Sequence, residues 1–171
     1  RRQLARAREL GFLALGASEL EFFAFRESYA SASAKGYQGL TTFGEYVEDY
    51  HILQGTKTEP LVGAIRRNLE ASGIPVEFSK GEWGPGQQEI DLRYADALTT
   101  ADNVMTFRTV VREVALSQGM WASFMPKPFT EHPGSGMHTH VSLFEGDRNA
   151  FFEAGSEYQL SKTGRQFIAG I

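Results

Sequence analysis

The chain has 171 residues, of which 42% are hydrophobic, 12% aromatic and 22% charged, a globular composition with enough apolar material for a core. Seventeen Lys and Arg against 21 Asp and Glu leave a formal charge of −4, so no basic field advertises nucleic acid or an acidic membrane surface. The absence of cysteine excludes disulfides, thiolate nucleophiles and zinc–sulfur sites, favours a reducing compartment, and leaves any metal to Asp, Glu, His or backbone oxygen. Leu4, Ala7 and Leu10 recur at helical spacing before Gly11, predicting a short helix with a glycine C-cap. From Ser18 to Phe25 the period changes to two, which predicts a strand with Glu19, Glu21, Phe23 and Phe25 on one face and Leu20, Phe22 and Ala24 on the other. Residues 27 to 58 read mostly as loop. Pro60 is expected to open a helix through Leu61, Ile65 and Leu69 that Gly73 ends.

Val76 to Glu82 and Gln88 to Tyr94 read as strands joined by Trp83-Gly84-Pro85-Gly86-Gln87, a connection of hairpin length. Thr100 to Gln118 carries Val104, Phe107, Val111 and Val114 on one side and predicts the longest helix, ended by Gly119. Trp121 to Met125 and Met137 to Phe144 complete the strands, on either side of a Pro- and Gly-rich loop. Strands and helices without regular alternation predict an α+β fold with a largely antiparallel sheet. No apolar run approaches the roughly 20 residues of a membrane-spanning helix. The apolar opening is no signal peptide either, because Glu9 interrupts it and Glu19 and Glu21 follow. The chain starts without Met and stops on the uncapped Phe167-Ile168-Ala169-Gly170-Ile171, so it is expected to be part of a longer protein.

Residues i and i+2 of a strand face the same way, about 6.5–7 Å apart. Glu19 and Glu21 therefore aim two carboxylates into one space, and His138 and His140 aim two imidazoles. Glu82 and Glu89 stand at opposite ends of a Gly-Pro-Gly turn that can fold one toward the other. An oxygen-rich set of this kind suits Mg²⁺ or Mn²⁺ better than zinc, and carboxylates gathered together repel unless cations neutralise them. Two metals beside a triphosphate are the commonest reason for such a cluster, and Lys127 offers a further positive charge. Each piece also has a plainer reading: Glu19 and Glu21 on a solvated strand face, His138 and His140 as polar residues of a half-exposed strand, Gly84-Pro85-Gly86 as an ordinary turn. Lys57, Arg66, Arg67 and Arg148 read as solvated charges. A competing class is open too, since His138-Thr139-His140 with Glu145 resembles the His-x-His…Glu pattern of single-metal cupin enzymes.

Four motifs in order, Glu19-Leu20-Glu21-Phe22-Phe23, Gly81-Glu82-Trp83-Gly84-Pro85-Gly86-Gln87-Gln88-Glu89, Phe124-Met125-Pro126-Lys127-Pro128 and Gly134-Ser135-Gly136-Met137-His138-Thr139-His140-Val141-Ser142-Leu143, together resemble the catalytic domain of the glutamine synthetase family, of the bacterial class I kind. The resemblance implies a partial catalytic domain over residues 1–171, with a curved, largely antiparallel sheet, a partial barrel lined with carboxylates and His and backed by helices. It implies that Glu21, Glu82 and Glu89 hold one Mg²⁺ or Mn²⁺ while Glu19 and His138 help hold a second. It places Glu77, His140 and Ser142 against ATP and Gly134 against the substrate glutamate. The activity implied is ATP-dependent formation of glutamine from glutamate and ammonia through γ-glutamyl phosphate, by a cytoplasmic homo-oligomer of stacked rings, a dodecamer, without nucleic-acid or membrane partners. Two departures stand out: Lys80-Gly81 where ammonia-using members commonly have His-His, and Pro133 where an Asn often stands. They keep open a relative that ligates glutamate to a polyamine or another amine, and a catalytically silent structural relative is the reading from another class.

Overall fold

The computed structural model describes residues 1–171. In chain order the elements are α1 (Arg2–Glu9), β1 (Leu13–Phe25), α2 (Tyr29–Ala34), α3 (Ile52–Ala71), β2 (Val76–Gly81), β3 (Gln87–Leu92), β4 (Ala95–Asp96), α4 (Ala97–Ser117), β5 (Trp121–Ser123), β6 (Met137–Glu145), β7 (Arg148–Asn149) and α5 (Lys162–Ile168), with one 3₁₀ turn at Glu157–Gln159. They form two compact units. The larger comprises Ser18–Arg93 and Asn103–His138, the smaller Arg1–Ala17, Tyr94–Asp102 and Thr139–Ile171.

In the larger unit β3 pairs with both β1 and β2, and β5 pairs with the end of β1, all antiparallel. The predicted alternation of β1 is realised. Leu20, Phe22 and Ala24 join Ile90 and Leu92 of β3 in a core closed by Leu61, Val62, Ile65 and Leu69 of α3 and Val104, Phe107 and Val111 of α4. Burial of these side chains, at about 1.5–3 kcal/mol each, is the main force holding both helices on the sheet. The opposite face of β1 carries Phe23 and Phe25, which meet Phe129 at centroid distances of 5.4 and 5.9 Å, with Trp121 stacked 4.7 Å from Phe25. That aromatic floor lies beyond the two glutamates on the same face.

Several boundaries differ from the sequence-based expectation. β1 begins at Leu13, not Ser18, and β3 ends at Leu92 so that β4 and α4 follow at once. α3 begins at Ile52, and Pro60 lies inside it rather than at its start. Proline forfeits the bond its own N–H would make and crowds the carbonyl four residues before it. Pro60 is exposed there, which leaves the freed carbonyl open to solvent, and the Thr58 hydroxyl bonds the carbonyls of Gln54 and Gly55 in the preceding turn. The stretch expected to be mostly loop contains α2, whose N-cap Ser28 accepts from the Ser31 amide at 3.1 Å. Arg66 is not simply solvated, since it donates to Ser79 on β2 at 2.7 Å and to Glu59 at 2.6 Å.

Residues 41–49 are tied to the larger unit's sheet by Phe43 donating to the Ala24 carbonyl at 2.8 Å, Glu48 to the Glu82 carbonyl at 3.3 Å, and a bridge between Asp49 and Gly81. Glu48 is fully buried and accepts from Gln88 Nε2 at 2.6 Å. Burial pushes its carboxyl up from the ordinary range, against the opposing bond from Gln88.

In the smaller unit the first residues of β1 pair antiparallel with β4, Leu15 opposite Asp96, and β6 pairs antiparallel with β7. Thr100 donates to the Gly16 carbonyl at 2.8 Å, fixing the first turn of α4 there. The Asp96 carboxylate accepts from the amides of Leu98 and Thr99, capping that helix. No helix is long and apolar enough to cross a membrane. The expectation of an α+β fold with a largely antiparallel sheet holds.

Candidate metal centre

Register gathers the acidic residues of the larger unit. Glu21 lies opposite Glu89, Glu19 opposite Asp91, and Glu89 opposite Lys80. Directly opposed residues share a face, so these five side chains project from one side of β1, β3 and β2 while Leu20, Ile90 and Leu92 project into the core. Glu82 follows β2 immediately, and its amide donates to the Gln87 carbonyl at 2.9 Å across the turn. Gly86 makes that turn possible: its φ is +71°, and a Cβ there would stand 2.9 Å from the Ala24 carbonyl oxygen.

Two overlapping ligand sets result. Glu21, Glu82 and Glu89 each place one oxygen within 4.8 Å of the others, and an oxygen each of Glu19 and Glu89 with a ring nitrogen of His138 lie equally close together. Glu89, shared by both, is nearly inaccessible. All five residues expected to hold metal are thereby brought together, with Glu89 in both sets where the resemblance placed it in one. His138 Nδ1 lies 3.0 Å from Glu19 Oε2, a contact that raises its pKa against the opposing effect of burial. Burial, followed by the charge on Asp91 and countered by Lys80, lifts Glu89 to about 7. Burial and the charge on Glu19 lift Asp91 to about 6. Both Asp91 carboxylate oxygens are buried without a hydrogen-bond partner. A site that holds its own carboxylates this far from their ordinary range favours positive charge brought in from outside.

Gln87 connects this cluster to the loop before β6. Its Nε2 donates to Glu21 Oε2 at 2.6 Å and to the Gly134 carbonyl at 3.0 Å, while its Oε1 accepts from the Gly84 amide at 3.0 Å. Gly134 has no room for a side chain, since a Cβ would come within 2.4 Å of the Pro126 carbonyl oxygen. The Glu21 amide donates to the Gly136 carbonyl at 3.2 Å, so this loop runs directly beside the ligands. Lys127 spends its ammonium on the His132 carbonyl within the same loop.

Glu77 sits apart, exposed at the irregularity of β2 between Val76 and Phe78. His140 and Ser142 lie in the smaller unit, on an open pocket of about 380 Å³ walled by Leu15, Tyr94 and Phe144. Glu145, which the cupin pattern would need as a ligand, pairs instead with Arg148, and neither it nor His140 joins a ligand set.

Three residues at the site were missed by the sequence reasoning. Asp91 was available to the same i, i+2 rule applied from Glu89. Lys80 was noted as a departure but not as a participant, although it is i−2 from Glu82. Gln87 carries no signal of its own, because an amide inside a turn reads as solvated.

Comparison with known proteins accounts for the whole chain. The family model for the catalytic domain of glutamine synthetase matches residues 1–171. A glutamine synthetase of Mycobacterium tuberculosis is 52% identical over 171 residues, covering all of this chain and 37% of the relative. The gamma-glutamylethanolamide synthetase GlnA4 of Streptomyces coelicolor is 41% identical over 171 residues, covering 99% of this chain and 36% of the relative. A solved GmaS/ADP complex superimposes with a TM-score of 0.84 at 29% identity, over 98% of this chain and 37% of that one. The chain thus spans a little over a third of the length of the relatives it matches. With its four motifs in order and its carboxylates converging as their spacing required, the chain belongs to the glutamine synthetase catalytic-domain family.

Proposed function

We propose that the protein containing this chain is an ATP-dependent ligase that forms an amide at the side-chain carboxylate of glutamate, with ammonia as the acceptor. The observation that carries the reading is the convergence of Glu19, Glu21, Glu82, Glu89 and His138 into two ligand sets sharing Glu89. The orphaned Asp91 oxygens beside them fit a centre made for divalent cations. Glu21, Glu82 and Glu89 would hold one Mg²⁺ or Mn²⁺, and Glu19 with His138 would help hold the other. When bound, such ions supply neutralisation of phosphate charge and a fixed template for in-line transfer.

The chain's own residues do the rest of the positioning. Gln87 fixes Glu21 and the Gly134 carbonyl relative to each other, so the loop that would meet glutamate is registered on the ligand set. Burial of Gln87 and Glu89 keeps water away from the base of the site, which strengthens its electrostatics. Glu77, His140 and Ser142 would contact ATP. A glutamate carboxylate oxygen attacks the γ-phosphorus and ADP leaves. The amine then attacks the resulting acyl carbon and phosphate leaves, with the amine's proton passing to solvent or a nearby carboxylate. The centre has no need of a dedicated nucleophile, in keeping with the absence of cysteine. We assign the protein to the cytoplasm and to a ring-stacked homo-oligomer, a dodecamer, with residues 1–171 as the central part of the catalytic domain.

A second acceptor is favoured by two observations. Lys80 crowds the ligand set where the family pattern commonly has His, and a 41% identical relative is named for an ethanolamide product. Phosphate release with ATP, Mg²⁺ and glutamate, comparing ammonia with ethanolamine, putrescine and spermidine, decides between the two. Stimulation chiefly by ammonia supports glutamine formation, and stimulation by a larger amine alone moves the assignment to that amine.

A further inference from the structure

Lys80 is surrounded on two sides. Its ammonium pairs with Glu82 and lies 3.9 Å from Glu89 Oε1, two members of one ligand set. On the other side are Asp49 Oδ1 at 3.4 Å and the Tyr50 ring, with its centroid at 5.0 Å. Burial works to lower the Lys80 pKa, but the bond and charge of Glu82 and the charges of Glu89 and Asp49 outweigh it and leave it raised. Asp49 and Tyr50 arrive from the segment bridged to Gly81. Tyr50 holds a φ of +52°, a conformation uncommon for a bulky residue and kept only where the surroundings enforce it. The exposed Tyr50 ring nevertheless lies with its face toward the ammonium.

We propose that Lys80 is a resident counter-cation of the carboxylate centre, and that loading of the Glu21–Glu82–Glu89 set with a divalent cation is a displacement. Lys80 withdraws from Glu82 and Glu89 onto Asp49 and the ring of Tyr50, which are already within reach. This deepens the proposed function and rests on its assignment of those three glutamates as ligands. The physical reason is charge. A cation between two carboxylates stabilises the empty centre, and the same charge opposes an incoming divalent ion unless it has somewhere to go. A carboxylate and an aromatic face together are such a place. Lys80 is thus a positioning residue that sets metal affinity.

The test is Mn²⁺ titration of the intact protein followed by electron paramagnetic resonance of the free ion, without nucleotide or amine. Glu82→Gln identifies the class of site concerned by abolishing it. Lys80→Met should lower the dissociation constant of that class at least tenfold, and Lys80→Gln, closer in polarity, should do the same if the Met variant fails to fold. Asp49→Asn removes the place of retreat and should raise the constant at least threefold in the wild-type background. In the Lys80→Met background it should change it much less. Equal constants for wild type and both Lys80 variants would overturn the proposal and leave the metal assignment standing. So would an Asp49→Asn effect of the same size in both backgrounds, because that is simple additivity of distant charges. Absence of Mn²⁺ binding in the folded wild type would overturn this proposal and the metal reading together, whichever amine the enzyme uses.

Discussion

Glu89 is where packing and function make opposite demands on one carboxylate. Its burial and like-charged neighbours lift it to about 7, so its charge costs the fold stability while serving both ligand sets. Glu89→Gln is expected to lower ATP-dependent phosphate release at least about a hundredfold while leaving the melting temperature of the metal-free protein unchanged or higher. A lower melting temperature with near-normal turnover would reverse that assignment. Glu27 shows the contrary case, away from the centre. The Lys35 ammonium at 2.7 Å, working against burial and helped by the Thr41 amide, holds Glu27 near 2 against an ordinary 4.5. The unfolded chain takes up that proton first. The stabilisation is therefore complete above about pH 4.5 and is lost as the pH falls toward 2. Glu27→Gln should flatten the acid side of the stability profile over that window, and thermal melts between about pH 2 and 5 would show it. Gln87→Ala leaves Glu21, Gly134 and Gly84 each short of a bond, at a cost of about 1–3 kcal/mol. It should also raise the KM for glutamate more than that for ATP, because the Gly134 loop loses its anchor to the ligand set. The residues that sequence reasoning found at this scale were those whose chemistry is visible in type and spacing, such as Glu19 and Glu21. Asp91, Gln87 and Lys80 escaped because their roles depend on which strand lies beside which, and register is a long-range property.

At the scale of elements, periodicity identified the strand around Glu19 and Glu21 and the helix around Val104 and Phe107, because burial on one face writes itself into sequence. Local signals were weaker guides. Pro60 reads as a helix start, yet α3 runs through it from Ile52, since its buried face, from Gln54 through Leu61, outweighs one lost backbone bond. Because Pro60 is exposed, Pro60→Ala should restore that bond and stabilise the protein by about 1 kcal/mol, read as a higher denaturation midpoint at unchanged slope. Residues 41–50 carry no periodicity at all. They are fixed by contacts to β1 and β2, and only the folded neighbours reveal that Asp49 and Tyr50 stand beside a charged centre.

For the whole molecule, the largest share of the fold that was legible came from four motifs in sequence order, and the family match over residues 1–171 confirms them. The chain covers 37% of the length of its relatives, so the proposed activity is one to test on a protein of their full length. The most direct measurement is phosphate release by that intact protein with ATP and Mg²⁺, with and without glutamate and ammonia. The account predicts release that requires glutamate, is raised by ammonia, and disappears with Glu89→Gln. Release indifferent to glutamate and to every amine tried, or none at all from a folded protein that binds Mn²⁺, would contradict it.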